Sequence, residues 1–212
     1  MNRQKFILSL TLGVIPALAS AKRMYNMFGT GPVGGGCDGC ELMYEGMPAN
    51  PGNTAYLPGW AETDNKMIVE GTVYHKDKRS PAPNVIVYIY HTDSRGYYSP
   101  APGQVHGKRH GHIRGWVKTG CDGRYKFYTS MPAPYPERNN PAHIHPVIKE
   151  PGINEYYIDE YQFDDDPLLT AALRKKAENR GGNGIVKISK NSDGLLTCKR
   201  DIILGLNIPN YK

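Results

Sequence analysis

A chain of 212 residues, 39% of them hydrophobic, is long enough to bury a core of its own, so neither disulfides nor a metal is needed for stability alone. The formal charge of +6 is scattered along the chain, with no basic helix and no basic segment interleaved with aromatics, which speaks against nucleic acid as a partner. A mild positive balance of this kind would help steer an anionic aromatic acid toward the protein.

Residues 1–21 have the form of an export leader: basic Asn2-Arg3-Gln4-Lys5, apolar Phe6 to Leu18, then Ala17-Leu18-Ala19 or Ala19-Ser20-Ala21 as a small-residue cleavage site. With Gly13 and Pro16 inside it, the apolar run falls short of the ~20 residues of a membrane span. The expectation is an exported protein, periplasmic or secreted, that is free of the membrane once the leader is cleaved, with an uncleaved membrane anchor as the alternative. Residues 22–64 are rich in Gly, Pro and Asn and show little periodicity, which predicts an extended arm. Cys37-Asp38-Gly39-Cys40 within it reads as a local disulfide rather than half of a zinc site or a redox pair, because no second Cys-x-x-Cys follows. Cys121 and Cys198 are then left as the remaining pair, although an even count does not fix connectivity.

From residue 65 onward, short strand-like segments follow one another: Met67 to Tyr74, Asn84 to His91, Ile113 to Lys118, Arg124 to Thr129, Ala142 to Ile148, Glu155 to Gln162, Ile185 to Ile188 and Thr197 to Leu204. Turn chemistry separates them, as in Cys121-Asp122-Gly123 and Asn191-Ser192-Asp193-Gly194. The pattern predicts an all-β domain over 65–212, an antiparallel β-sandwich. One helix is expected from about Pro167 to Asn179, with Asp166 as N-cap, basic Arg174, Lys175 and Lys176 in its C-terminal half, and Gly181 as a stop. Asp164-Asp165-Asp166 is better explained by that cap than by calcium, since no EF-hand spacing accompanies it.

The chemistry concentrates between Tyr135 and His145. On a strand, His143 and His145 point to one face, so both imidazoles reach one ion. A phenolate nearby favours a hard, highly charged ion, with ferric iron in front. A His-x-His pair is also common as plain surface polarity, and a zinc hydrolase built on the pair lacks a carboxylate base or third histidine at a recognisable spacing. His106, His110 and His112 form a second cluster without an orienting carboxylate, read as pocket mouth or loop, and Trp116 is open between core and substrate side.

Gly96-Tyr97-Tyr98 after the core strand Val85 to His91, then Asp122-Gly123-Arg124-Tyr125-Lys126-Phe127, Pro134-Tyr135-Pro136 and Pro141-Ala142-His143-Ile144-His145, together resemble the intradiol ring-cleaving dioxygenases of the protocatechuate and catechol type. The resemblance covers roughly residues 65–168 and is closest to small exported single-domain members. It implies a non-haem ferric ion, Fe(3+), held by Tyr98, Tyr135, His143 and His145, with Tyr98 rather than Tyr97 chosen by counting along Gly-x-Tyr. It implies Tyr135 as the displaceable ligand and base, a catecholic substrate, O2, and a cis,cis-muconate-type product. The longer members form multi-subunit assemblies, so a homo-oligomer is an open expectation. Three positions depart from the family pattern: Asn140 stands where an arginine is common, Glu160 where a glutamine is expected, and Tyr90 where a tryptophan is common. Arg138, two residues before Asn140, is the candidate to take over the missing arginine's role at a developing oxyanion, against a reading as a solvent-exposed loop residue. A non-catalytic exported β-sandwich module that binds ligands is the alternative function.

Overall fold

The computed structural model describes residues 31–105, 107–137 and 139–212. The leader reading, His106 and Arg138 lie outside the described residues. Pro32–Lys212 form one compact unit.

Among the described residues, twelve strands make two sheets: β1 (Thr54–Tyr56), β2 (Lys66–Tyr74), β3 (Ile86–His91), β4 (Arg114–Lys118), β5 (Arg124–Ser130), β6 (His143–Lys149), β7 (Tyr156–Tyr157), β8 (Tyr161–Phe163), β9 (Ile185–Val186), β10 (Ile188–Lys190), β11 (Leu196–Lys199) and β12 (Ile202–Ile203). The first sheet runs β1-β5-β2-β11-β10, with β12 also on β2, and the second runs β4-β3-β6-β8-β9, with β7 also on β6. The long central pairs β2/β5, β3/β4 and β3/β6 are antiparallel, as expected. The additions β1/β5, β11/β2, β12/β2 and β8/β9 are parallel, so the sandwich is mixed.

Alternation along the strands builds the core. Met67, Val69 and Phe127 of the first sheet meet Val87, Ile89, Ile144 and Ile148 of the second in one apolar cluster. The near-continuous apolar run of β3 is explained by burial on both faces. Val87 and Ile89 enter the sandwich, whereas Tyr88 lies on the outer face with Cys40, Met43 and Val147 in a second cluster. That outer cluster is where the N-terminal arm docks. A short 3-10 helix, Cys40–Tyr44, lies over β3 and β4, fastened by Trp116 Nε1–H to the Met43 carbonyl at 2.6 Å and by Arg114 Nη2 to the Glu45 carbonyl at 2.7 Å. Trp116 therefore packs against the arm.

Three expectations need correction. The helix, α1, spans only Ala171–Lys176 and is capped by Thr170, whose hydroxyl accepts the Leu173 N–H. Asp166 is engaged elsewhere: its carboxylate accepts the N–H groups of Leu168 at 2.8 Å and of Ala142 at 2.7 Å, the latter bracing the start of β6. Cys37 and Cys40 are bonded, but Cys121 and Cys198 are free thiols. Cys121 sits exposed in the turn before β5, while Cys198 is turned into the core, where burial pushes its thiol up to about 12. Strand β1 was not foreseen, because three residues are too short to show alternation.

Candidate metal centre

β6 carries His143 and His145 on its outer face and Ile144 on its inner one, so the period-2 expectation holds in the structure. The register Tyr90↔His145 brings the aromatic ring of β3 flat against the second imidazole, with centroids 4.7 Å apart and planes 15° from parallel. His110, on a short 3-10 turn, stacks on the other side of Tyr90 at 3.6 Å. His112 instead bonds the Ser99 carbonyl at 2.6 Å, so His110 and His112 serve two different tasks.

The two tyrosines arrive from loops. Asp93 organises the first, accepting the N–H groups of Arg95 and Tyr97 and the Ser99 hydroxyl. Gly96 turns within it at φ 86°, and a Cβ there would come 2.1 Å from the Pro134 carbonyl oxygen, so glycine lets the Tyr98 and Tyr135 loops touch. Tyr98 then points inward, while Tyr97 is 53% exposed near Arg95. The choice of Tyr98 over Tyr97 fits this geometry.

The four expected donor atoms close a ring. Tyr98 Oη lies 3.0 Å from Tyr135 Oη, Tyr135 Oη 3.2 Å from His143 Nε2, His143 Nε2 3.1 Å from His145 Nε2, and His145 Nε2 2.8 Å from Tyr98 Oη. The protons on the imidazoles are committed elsewhere. His143 Nδ1 donates to the Pro141 carbonyl at 2.8 Å, and His145 Nδ1 faces Glu160 Oε1 at 3.0 Å. Both Nε2 atoms therefore present lone pairs, and the four contacts have only two phenolic protons to share. Lone pairs converging at such distances call for a cation. Bonds of about 2.0 Å at angles between 90° and tetrahedral give ligand-to-ligand edges of about 2.8–3.3 Å, which these separations match.

Burial raises the Tyr98 phenol, reinforced by the hydrogen bond and charge of Tyr135, and burial also raises Tyr135. Each would surrender its proton only to a strong positive charge beside it. Burial holds the imidazole of His143 below its usual range, leaving it neutral and free to ligate. Two phenolates with two neutral imidazoles are a hard, anionic donor set, and ferric iron fits them better than a thiolate-seeking ion.

In the sequence, Glu160 stands out only as a departure from the family pattern. His143, His145 and Glu160 offer ligand atoms within 4.8 Å of one another, so the carboxylate that a histidine-based zinc site seemed to lack is present after all. It lies on the Nδ1 side of His145, away from the ring of donor atoms, and so orients that imidazole. Burial works to raise the Glu160 carboxyl, but the hydrogen bond and charge of His145 and the charge of His143 hold it below the usual value. No spacing rule could have found it, because the contact joins β6 to the residue just before β8 and depends on the pairing of those two strands.

A gap in the sheet opens beside this contact. β6 pairs with β8 at His143 and Ile144 and with β7 at Val147 and Ile148, leaving His145 and Pro146 without a partner on that edge. A proline, with no N–H to offer a ladder, suits the gap. A cavity of about 490 Å³ lies there, lined by Tyr90, His145, Pro146 and Glu160, with the Cys37–Cys40 loop of the arm among its walls.

A family model described as Dioxygenase matches residues 48–199, well over half of the chain. Catechol 1,2-dioxygenase 1 of Acinetobacter lwoffii is 29% identical over 127 residues, covering 51% of this chain and 39% of that relative. A second relative, catechol 1,2-dioxygenase of Acinetobacter baylyi, is 27% identical over 152 residues, 61% of this chain and 48% of its own length, so the chain spans less than half of either. The dioxygenase domain of a dioxygenase carbohydrate-binding protein fusion from Streptomyces sp. SirexAA-E shares the fold with a TM-score of 0.52 at 19% identity, over 74% of this chain and 89% of that one. The match to the family model, on a sandwich whose outer face gathers two tyrosines and two histidines, places the chain in the intradiol ring-cleavage dioxygenase family.

Proposed function

We propose that the protein is an Fe(III)-dependent dioxygenase that breaks the bond between the two hydroxylated carbons of a catechol-type ring and places both atoms of O2 in a cis,cis-muconate-type product. The observation that carries this reading is the ring of Tyr98, Tyr135, His143 and His145, with both Nε2 lone pairs directed at the same point. Bound there, ferric iron would act as a Lewis acid that holds both oxygens of the substrate and draws charge from its ring. The chain's own groups do the rest. Pro141 and Glu160 fix the tautomers of the two imidazoles, so each presents Nε2 without rearrangement. Tyr135, on an irregular loop rather than a strand, would be the mobile ligand: held as a phenolate, it would swing away and accept a substrate hydroxyl proton at Oη to become a neutral phenol. Tyr98 is more constrained, tied between His145 Nε2 and the Asp93-organised loop.

The test is oxygen uptake by ferric-loaded protein given catechol, with the ring-opened acid identified by mass. One O2 consumed and two oxygen-18 atoms retained per product is the expected result. Ferric protein that binds catechol but consumes no oxygen would instead favour the non-catalytic ligand-binding module.

A further inference from the structure

Of the two ligating imidazoles, that of His143 is buried and that of His145 is only half-buried. The backbone of His145 faces the gap between β7 and β8, so on that edge no strand supports it. Glu160 at Nδ1 fixes one direction in the plane of the ring, but a single hydrogen bond leaves the ring able to turn about that bond. The plane itself is set by Tyr90, which lies flat on His145 from β3 at 4.7 Å. Tyr90 is held on its other face by His110, 3.6 Å away and 2° from parallel, so three rings form one stack that ends at a ligand.

His110 is fixed far more tightly than a loop histidine needs to be. It is 3% exposed, although it sits on a short 3-10 turn. Arg114, which can only donate, gives its Nη1–H to Tyr88 Oη at 3.4 Å, and this leaves the phenolic proton for His110 Nδ1 at 2.9 Å. Burial, followed by the charge of Arg114, holds the imidazole down to about 4, so a neutral ring meets Tyr90 at neutral pH. The arm then closes over it. Gly39, between the bonded Cys37 and Cys40, turns at φ 89°, and a Cβ there would come 3.5 Å from His110 Nε2 and 2.9 Å from Arg109 Nη2. Cys40 is buried with Tyr88 in the outer cluster, against which Tyr90 packs, and Asp38 pairs with Arg109 at 2.9 Å. Before the turn, the Gly107 N–H donates to the Glu45 carboxylate. The arm thus holds the His110 turn at both of its ends.

We propose that His110 is a positioning residue of the metal centre: gripped from outside by the disulfide-closed arm, it holds Tyr90 flat against His145 and so fixes the plane of a ligating imidazole. The proposal rests on the dioxygenase reading and assigns a task to a histidine that the reaction itself does not use. It also gives the Cys37–Cys40 bond a reason to lie over this face, since a cross-link restricts the conformations open to the loop that covers His110.

The test is a titration of iron-free full chain with ferric citrate, read by the phenolate-to-iron band, beside the thermal midpoint of the iron-free protein. His110→Ala should lower ferric affinity by about 10–100-fold, the cost of losing an orienting partner, and should shift the band. His110→Phe keeps a flat ring but gives up the bond to Tyr88. Its affinity should return to within about threefold of wild type, while its thermal midpoint falls below wild type. Cys37→Ser combined with Cys40→Ser leaves the three rings in place and should weaken iron by about tenfold, an effect that does not depend on His110→Ala folding. Wild-type affinity in both His110→Ala and the serine pair, at a temperature where each is folded, would overturn the positioning role and leave the dioxygenase reading standing. Equal losses in His110→Ala and His110→Phe would overturn it too, since a merely structural role follows the hydrogen bond and not the ring. Wild-type protein that gives no band would overturn both.

Discussion

The two faces of β6 follow from the same pleat and do opposite things. Ile144 and Ile148 on the inner face are fully buried among hydrocarbon and ask nothing of their neighbours beyond close packing. His143 and His145 on the outer face each need a partner at Nδ1, a facing donor at Nε2 and a covering structure, supplied by Pro141, Glu160, two tyrosine loops and β3. The inner face can be specified by one strand's alternation. The outer face depends on five separate segments meeting, which makes it the more fragile specification and the more informative one to perturb.

Breaking the outer face should have the largest effect. Tyr98→Phe or His143→Ala should lower ferric affinity by more than about 100-fold, beyond the ~10–100-fold cost of losing a mere orienting partner, while the thermal midpoint of iron-free protein stays near wild type. Breaking the inner face should do the reverse. Ile144→Ala should cost about 2–5 kcal/mol in denaturant unfolding, yet the fraction that remains folded should keep its iron. Equal losses of iron and stability in both variants would erase the distinction between the faces.

A third perturbation is acid. His91 sits at the end of β3 on the core side, bonded to the Thr92 carbonyl and the Thr129 hydroxyl, and burial depresses its imidazole to about 4. The unfolded chain takes up that proton from about pH 6.5 downward, whereas the fold resists it until about 4. Stability is therefore full above pH 6.5 and falls by about 3 kcal/mol as pH drops to 4, with no further loss from this group below that. Urea midpoints across this range should show the slope in wild type and a flatter one in His91→Gln. Smaller still is the orienting contact: Glu160→Leu should weaken iron about 10–100-fold, and Glu160→Gln should recover part of it because an amide oxygen still accepts from Nδ1. Tyr97→Phe should change neither iron nor stability, since its hydroxyl lies at the surface.

What was legible in the sequence divides along the same line. The central strands, the His-x-His face and the disulfide Cys37–Cys40 are local in the chain, and local patterns reported them within one or two residues. Features that depend on pairing between distant segments were not legible. Glu160 reaches His145 only because β8 lies antiparallel beside β6, and Cys198 is denied to Cys121 because one faces the core and the other solvent. Asp166 looked like a helix cap because its nearer neighbours suit that role, but the backbone of Ala142, 24 residues earlier in the chain, shares its carboxylate. The parallel strands were hidden for the same reason: a short edge strand such as β1 takes its identity from the partner it joins.

The central claim is that Tyr98, Tyr135, His143 and His145 hold ferric iron, and a titration of iron-free full chain with ferric ion, followed by visible absorbance, tests it most directly. The account predicts saturation at one equivalent, with a red to burgundy phenolate-to-iron band that shifts and weakens in Tyr98→Phe and is unchanged in Tyr97→Phe. A colourless product, or a band that survives Tyr98→Phe and disappears in Tyr97→Phe, would contradict it.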